Sequence, residues 1–309
     1  MTRVNEMFTH KIMRLAALLA ALAVGVASPP AVRAQNVGET TRSAALATPD
    51  ALAGRATFAD LVTLAERSGL VVRVQIRRQV TLEPERAPGL DAGFARLYVE
   101  ADTLALIAGG STIGESLVYL VDVPLTPKGK APKLKNREML LFANLSGRGP
   151  GGAAQLQLAG PSAQLAYSPA LEQRIRPILT SLFAPDKPPV ITGIRDALAV
   201  PGSLVGESET QIFLATQDRS PASLTVLRRP GQPPAWGVSW GEIIDSSARA
   251  PEFETLRWYR LACALPESLP SSANLARDPA ARQLAASDYA YVINALGPCA
   301  RAITRAPAR

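Results

Sequence analysis

The sequence predicts an α+β protein that is rich in antiparallel β-structure and consists of two packed α+β halves. Segments in which apolar and polar residues alternate occupy much of the chain, and turns rich in Gly and Pro join them, which is typical of antiparallel strands. A helical pattern followed by such segments occurs twice, starting near residues 57 and 168, without a residue-level repeat. Two further helical patterns end the chain, and the only two cysteines lie at their ends, so we expect a disulfide to join these helices.

Residues 1–34 have the three parts of a secretory signal peptide. Basic residues precede an apolar run at 15–27, and small residues occupy the positions −3 and −1 relative to a cleavage site after Ala34. The alternatives are an uncleaved membrane anchor and a buried core helix. The run is shorter than the ~20 residues of a membrane-spanning helix, and the two prolines after it disfavour both alternatives. We therefore expect a soluble mature protein that is periplasmic or secreted.

The charge and the histidine content restrict the function. Removal of residues 1–34 takes away four basic residues and one acidic residue, which lowers the formal charge from +7 to +4. Such a charge is ordinary, so the high isoelectric point is no sign of nucleic-acid binding, and we expect no nucleic-acid partner. The only histidine, His10, lies in the segment that is removed. Because imidazole and thiolate are the usual ligands of transition metals, we expect neither a metal nor another cofactor.

We divide the predicted mature chain into three parts. Residues 35–55 are rich in Ala, Thr and Ser and show no periodicity, so they are predicted to be a flexible leader. Residues 56–160 are predicted to form an α+β N-terminal domain with a basic hairpin loop. Residues 161–309 are predicted to form an α+β C-terminal domain that ends in two helices.

Four helices and nine strands are predicted. Thr57 caps the first helix, and Pro177 should kink or divide the second because proline lacks the N–H that a helix uses. The third helix starts after Pro251, and Asp278 caps the fourth. The predicted strands lie at residues 70–82, 95–107, 116–123, 138–145, 155–159, 190–200, 209–216, 222–229 and 235–244.

The two cysteines, Cys263 and Cys299, are predicted to form a structural disulfide, because a lone pair in an oxidising compartment usually does so. Closing this loop should stabilise the fold by about 3–4 kcal/mol in the chain-entropy treatment. Two unpaired thiols and a redox-active pair are the alternatives. A redox pair normally needs much closer spacing in the sequence.

Two glycine motifs resemble functional signatures. The segment 237–241 matches the nucleophile elbow G-x-S-x-G, but no histidine remains to activate Ser239. The segment also alternates like a strand, whose small face would let another backbone approach closely. The segment 147–152 matches G-x-G-x-x-G, but a strand pattern follows where dinucleotide binding needs a helix, so we expect a hairpin turn.

Glu100 and Asp102 are the candidate catalytic residues. They share one face of a predicted strand, and two carboxyl groups at that spacing would suit a hydrolase that acts on periplasmic glycans. The alternative is that Arg73, Arg77 and Arg96 form ordinary ion pairs with them across the strands.

A basic segment at residues 128–137 joins two predicted strands. It could contact lipid headgroups, lipopolysaccharide or an acidic protein, or it could be a solvated hairpin tip whose charge blocks edge pairing. The candidate residues for contact with anions are Lys128, Lys130, Lys133, Lys135 and Arg137.

These observations favour an exported, non-catalytic protein with a binding or structural role. The predicted mature sequence has no histidine, and no side chain can be identified as the general base that would activate a nucleophile. The alternative function is the carboxylate-dependent glycan hydrolase.

Overall fold

Two β-sheets and five α-helices form the part of the chain that the structure describes. In this computed structural model the described residues are 48–110, 112–241 and 248–305. The helices are α1 (Pro49–Arg55), α2 (Phe58–Arg67), α3 (Pro169–Phe183), α4 (Leu256–Ala262) and α5 (Pro279–Leu296). The strands are β1 (Leu70–Thr81), β2 (Phe94–Gly109), β3 (Ser116–Pro124), β4 (Glu138–Arg148), β5 (Ala154–Leu158), β6 (Gln164–Ala166), β7 (Ile191–Pro201), β8 (Ser208–Thr216), β9 (Ser223–Arg228) and β10 (Ala235–Ser239). The predicted β-rich α+β class is confirmed.

The first sheet closes into a barrel, which the sequence analysis did not predict. Strand β1 pairs antiparallel with both β2 and β4, so the order runs β1-β2-β3-β5-β4 and returns to β1, with β6 added beside β4. Only β3 and β5 pair in parallel. This order is that of the five-stranded Greek-key barrel called the OB-fold. The pairing of β1 with β2 has three register shifts, two with the extra residue in β2 and the last with Arg77 as the extra residue in β1. Such bulges bend a strand, which helps the sheet to curve.

The interior of the barrel is filled by alternate residues of the strands. Val72, Val74 and Ile76 of β1 are fully buried, whereas the residues between them face outward or are partly exposed. The buried hydroxyl of Tyr119 donates a hydrogen bond to Gln164 Oε1 at 2.7 Å. Burial raises the pKa of this hydroxyl, which therefore remains a neutral donor.

The second sheet is an antiparallel meander in the order β10-β9-β8-β7. Its buried face joins an apolar cluster that also includes helices and the first sheet. Representative members are Leu61 of α2, Phe142 of β4, Ile178 of α3, Leu224 of β9 and Tyr289 of α5. The cluster thus draws on both sides of residue 160, where we placed a domain boundary. That division remains a prediction.

Helix α2 begins with the capping residue that the sequence predicts. Thr57 Oγ1 accepts a hydrogen bond from the Asp60 backbone N–H, and the Asp60 carboxylate accepts one from the Thr57 N–H. The same carboxylate, which is fully buried, accepts backbone hydrogen bonds from Ala302, Ile303 and Thr304. One aspartate therefore both caps the helix and anchors the C-terminal segment.

Helix α5 also agrees with the prediction at its start. Asp278 accepts a hydrogen bond from the Ala281 N–H at 2.8 Å, and Pro279 occupies the first turn, where its missing N–H costs nothing. The fully buried Asp288 in the same helix binds Arg228 and Thr210 of the second sheet. This helix is therefore attached to the sheet by a buried ion pair as well as by apolar contacts.

Three predicted elements need correction. Part of the predicted leader is helix α1, which Thr48 caps, while residues 35–47 lie outside the described residues. Pro177 does not divide α3, which runs from Pro169 to Phe183 with Ile175 and Ile178 buried on either side of the proline, while the predicted kink stays a prediction. Helix α4 starts at Leu256 rather than after Pro251.

The last predicted strand is shorter than expected. Strand β10 ends at Ser239, whereas the prediction extended to residue 244. Residues 242–247 lie outside the described residues, as does the predicted signal peptide.

The predicted disulfide between Cys263 and Cys299 is confirmed, with a Cα–Cα distance of 5.1 Å. Cys263 follows directly after α4, and Cys299 follows the end of α5 at Gly297. The alternative of two unpaired thiols is therefore wrong.

Among the described residues, no helix combines the length and the apolar character that crossing a membrane requires.

Candidate functional site

The candidate site is a solvent-accessible groove of about 1070 Å³ on the outer face of the barrel. Strands β1, β2, β3 and β5 form its floor, and the β1–β2 and β4–β5 connections contribute to its walls. Its principal lining residues are Arg78, Val80, Leu82, Arg86, Arg96, Tyr98, Leu120, Asp122, Gly149, Gln155 and Gln157.

An apolar row crosses the floor of the groove. Val80, Tyr98 and Leu120 face one another on three neighbouring strands, as the pairing of Val80 with Tyr98 and of Tyr98 with Leu120 shows. Leu120 is 48% exposed and Val80 is 39% exposed, and Tyr98 is half-buried between them. Since Val99 and Val121 point into the barrel, the alternation of each strand directs this row outward. The row is a flat platform with an aromatic ring at its centre.

An ordered ion pair stands beside this row. Arg96 donates two hydrogen bonds to the Asp122 carboxylate, at 2.7 and 2.8 Å, and a third to the Pro88 carbonyl oxygen at 3.1 Å. The bonds to Asp122 raise the pKa of Arg96, which stays charged. This pair presents fixed, planar hydrogen-bonding groups at the wall of the groove.

The two connections beside the groove contribute different features. Arg86 in the β1–β2 connection is exposed and forms no ion pair with any described carboxylate. Gly149 at the β4–β5 connection lies so close to Val118 that an added Cβ would be 2.8 Å from Val118 Cγ2. A side chain at residue 149 would therefore push this connection away from the floor.

The amides of Gln155 and Gln157 line the groove from β5, whose alternate residue Leu156 is buried in the barrel. An amide can donate and accept hydrogen bonds at the same time. Together with the aromatic platform and the ion pair, these amides equip the groove to bind an extended, polar ligand.

The two carboxylates of the hydrolase hypothesis lie on the outside of the barrel in ion pairs. Glu100 accepts a hydrogen bond from Arg78 at 3.1 Å, and Asp102 accepts one from Arg77 at 3.2 Å. Of the expected arginines, only Arg77 is a partner of these carboxylates. Arg73 pairs instead with Glu138, and Arg96 pairs with Asp122.

The basic segment is attached to the barrel at its centre. Leu134 is 1% exposed and belongs to the barrel core. Its backbone N–H donates to Gln79 Oε1 at 2.6 Å, and Gln79 Nε2 donates to the Pro132 carbonyl oxygen at 2.8 Å. The segment is therefore a fixed loop that closes one end of the barrel, and not only a solvated tip.

The cations of this loop fall into two groups. Arg137 forms an ion pair with Asp50 of α1 and lowers the pKa of that carboxyl group. The charge of Arg137 is therefore balanced by another residue of the same chain. The four lysines are exposed, and none forms an ion pair within the described part of the chain. We call Lys128, Lys130, Lys133 and Lys135 the lysine loop.

The G-x-S-x-G segment lies in and just after strand β10. An added Cβ at Gly237 would be 2.0 Å from the Ala248 carbonyl oxygen, so this glycine lets a second backbone pack directly on the strand. Ser239 is 6% exposed at the end of the strand. The predicted close approach of another backbone is confirmed.

The glycine motif at 147–152 forms the tight connection between β4 and β5. Arg148 pairs with Ala154 across this hairpin, and a strand follows the motif. The predicted hairpin turn is confirmed.

Sequence reasoning missed the central residues of the groove. Tyr98 alternates with the apolar residues Leu97 and Val99, and Leu120 lies in an unbroken apolar run from Leu117 to Val121. Because alternate residues of a strand face opposite sides, a continuous apolar run places at least one apolar side chain on the solvated face. This run could have indicated an exposed apolar surface on the strand.

Within residues 48–110, 112–241 and 248–305, no three His, Cys, Asp or Glu side chains lie close enough to hold a metal ion. Neither a scan against protein families nor a search of curated proteins found a match for this chain. The geometry of the groove therefore carries the functional argument.

Proposed function

We propose that this chain is an exported, non-catalytic binding protein whose barrel groove holds an extended glycan. The observation that supports this proposal most directly is the position of the groove. It crosses β2 and β3 and is flanked by the β1–β2 and β4–β5 connections. Five-stranded Greek-key barrels use this face and these connections to bind oligosaccharides and oligonucleotides. The fold alone does not determine the ligand, so the choice between these two rests on the lining residues.

The lining favours a glycan over an oligonucleotide. Single-stranded nucleic acids are usually held by several aromatic side chains on which successive bases stack. In this groove Tyr98 is the one aromatic ring on the outward-facing row, and aliphatic Val80 and Leu120 flank it. The carboxylate of Asp122, whose charge is balanced by Arg96, can accept hydrogen bonds from sugar hydroxyls.

Binding without catalysis agrees with the charge pairing on the barrel. Glu100 and Asp102 each form an ion pair with an arginine, and neither is among the residues that line the groove. These ion pairs support a structural role for both carboxylates.

Export is supported by the signal-like N-terminus and by the disulfide, since disulfides persist in oxidising compartments. We propose a periplasmic or secreted location. We also propose that the barrel and the second sheet are two packed α+β halves, of which the barrel binds the ligand.

Three immobilised polysaccharides test the proposal: peptidoglycan, alginate and dextran. We expect the wild-type protein to bind at least one of them by biolayer interferometry. Tyr98→Ala should weaken that binding by about tenfold or more, because the centre of the platform is lost. The matched control is Val205→Ser, which removes an apolar side chain that is 99% exposed in the β7–β8 hairpin.

The control should bind like the wild type, and circular dichroism should show that both variants are folded. The proposal is wrong if the wild type binds none of the three polysaccharides. It is equally wrong if Tyr98→Ala binds as tightly as the wild type.

A further inference from the structure

We infer that the glycan is acidic, and that the lysine loop extends the groove into one continuous binding surface. This inference rests on the proposed function and adds the chemical class of the ligand. It joins two features that the sequence keeps apart: an outward-facing platform on β2 and β3, and a cluster of lysines between β3 and β4.

The topology places the lysine loop at one end of the groove. Phe94 at the start of β2 pairs with Pro124 at the end of β3, and the Leu125 N–H donates to the Gly93 carbonyl oxygen at 2.8 Å. The lysine loop begins directly after this point. Arg96 and the connection that holds Arg86 lie at the same end of the barrel. A chain that follows the platform toward Arg96 therefore continues toward the lysines.

The loop is held in a defined position on both of its sides. A turn in which the Thr126 N–H donates to the Lys130 carbonyl oxygen orders its first part. The burial of Leu134 and its hydrogen bond to Gln79 order its second part. Fixed charges lose less conformational entropy on binding than charges on a mobile loop, which favours affinity.

Along this path, arginines that form ion pairs are followed by cations that form none among the described residues. Along the groove Arg78 and Arg96 are paired with Glu100 and Asp122. Toward the loop, Arg86 and the four lysines have no ion pair among the described residues. Unmatched cations that cluster at one end raise the local potential for anions. The ligand should therefore carry its negative charges where it leaves the platform.

A polysaccharide with carboxylate groups can both contact the apolar row of the groove and carry negative charge to the lysines. Its sugar rings present apolar faces to Tyr98 and hydroxyls to Gln155 and Asp122, while its carboxylates can reach the lysines. A membrane surface would contact the lysines but could not enter the groove between two connections. A nucleic acid would leave its bases with a single aromatic ring to stack on.

The test compares two hexasaccharides by isothermal titration calorimetry, hexagalacturonate as the acidic probe and cellohexaose as the neutral probe. The lysine variant carries Lys128→Gln, Lys130→Gln, Lys133→Gln and Lys135→Gln together. The control variant loses the same charge at four exposed cations away from the barrel. It carries Lys187→Gln, Arg229→Gln, Arg257→Gln and Arg277→Gln.

We expect the wild type to bind hexagalacturonate more tightly than cellohexaose at low salt. The lysine variant should lose about tenfold or more of this affinity, and the control variant should lose much less because its cations lie elsewhere. The difference should shrink as salt rises from about 0.1 M to 1 M, where the screening length falls from about 10 Å to 3 Å.

The outcomes separate this inference from the proposed function. If Tyr98→Ala abolishes binding while the lysine variant binds hexagalacturonate like the wild type, the acidic class is wrong and the groove stands. If neither variant changes binding, the groove is wrong as well. Tighter binding of a twelve-nucleotide oligothymidylate than of hexagalacturonate would identify a nucleic-acid site. Lysine-dependent binding only to vesicles of phosphatidylglycerol would identify a membrane site.

Discussion

The barrel and the second sheet protect their strand edges in different ways. The barrel closes on itself through the pairing of β1 with β4, so its backbone groups are satisfied within the sheet. The second sheet remains open, and other segments cover its two edges. The Ala197 N–H of β7 donates to the Ala273 carbonyl oxygen at 2.7 Å, and the Val238 N–H of β10 donates to that of Arg249.

This difference affects which surfaces stay accessible. One covering segment of the second sheet also packs on its face, as the close contact between Gly237 and Ala248 shows. Closure needs no such cover, so the outer face of the barrel at β2 and β3 stays accessible. The second sheet keeps a hollow of about 670 Å³ beside Leu198 and Val200, which is smaller than the groove of about 1070 Å³ on the barrel.

The largest expected effect concerns the disulfide, which joins the segments that follow α4 and α5. The double substitution Cys263→Ala and Cys299→Ala should lower the free energy of unfolding by about 3–4 kcal/mol, because the unfolded chain regains the entropy of an open loop. All three tryptophans lie at or after residue 236, so their fluorescence during urea unfolding reports on this part of the chain.

Binding to the groove should survive the loss of the disulfide under conditions where the variant is folded. Loss of binding by a folded variant would show that the groove depends on the disulfide-linked segments. The single variant Cys299→Ala is a poor substitute for the double one, since it leaves a reactive thiol.

A smaller effect is expected at the end of the barrel. Leu134→Ala should cost about 2–3 kcal/mol, near the lower limit for buried leucines, because a loop relaxes more readily around a cavity than a strand does. Urea unfolding followed by far-ultraviolet circular dichroism measures the change. Leu204→Ala is the matched control, since Leu204 is 62% exposed and its truncation should change little.

If Leu134→Ala proves neutral, the loop does not close the barrel as described. The argument that the lysines are held in place would then fail with it.

The smallest effect concerns the ion pair between Asp50 and Arg137. Arg137 lowers the pKa of Asp50 below its ordinary value of 3.8, so the folded state favours the ionised carboxylate. Asp50→Asn should cost about 0.5 kcal/mol at pH 7, because the pair is largely exposed. This contribution is present above the ordinary pKa and is lost as the pH falls through the lower pKa of the folded protein.

Thermal unfolding of wild type and Asp50→Asn at pH 7 and at pH 2 tests this prediction. The two melting curves should differ at pH 7 and coincide at pH 2. A difference that persists at pH 2 would show that the aspartate acts through packing rather than charge.

Local features of the fold could be read from the sequence. Thr57 and Asp278 were predicted as helix caps because the capping hydrogen bond joins a side chain to a backbone N–H of its own first turn. The strands that form the barrel were predicted because alternation is also local. The disulfide was predictable because the chain contains only two cysteines.

The closure of the barrel and the groove could not be read in this way. The pairing of Leu70 with Ala143 joins residues that are far apart in the sequence, and no local pattern encodes it. The row that includes Tyr98 and Leu120 arises only when neighbouring strands adopt their register. Thr255, the cap of α4, was missed because Pro251, four residues earlier, suggested that the helix begins there.

The buried carboxylate of Asp60 has a consequence for the stability of helix α2. It lies in the second helix of the described chain, yet it accepts hydrogen bonds from Ala302, Ile303 and Thr304. A chain that ends before residue 300 lacks four donors to this carboxylate, namely three backbone N–H groups and the Thr304 hydroxyl, and keeps only those of Thr57. An ionised carboxylate in the core is costly without such donors. We therefore expect helix α2 to reach its full stability only in a chain that includes residues 302–304.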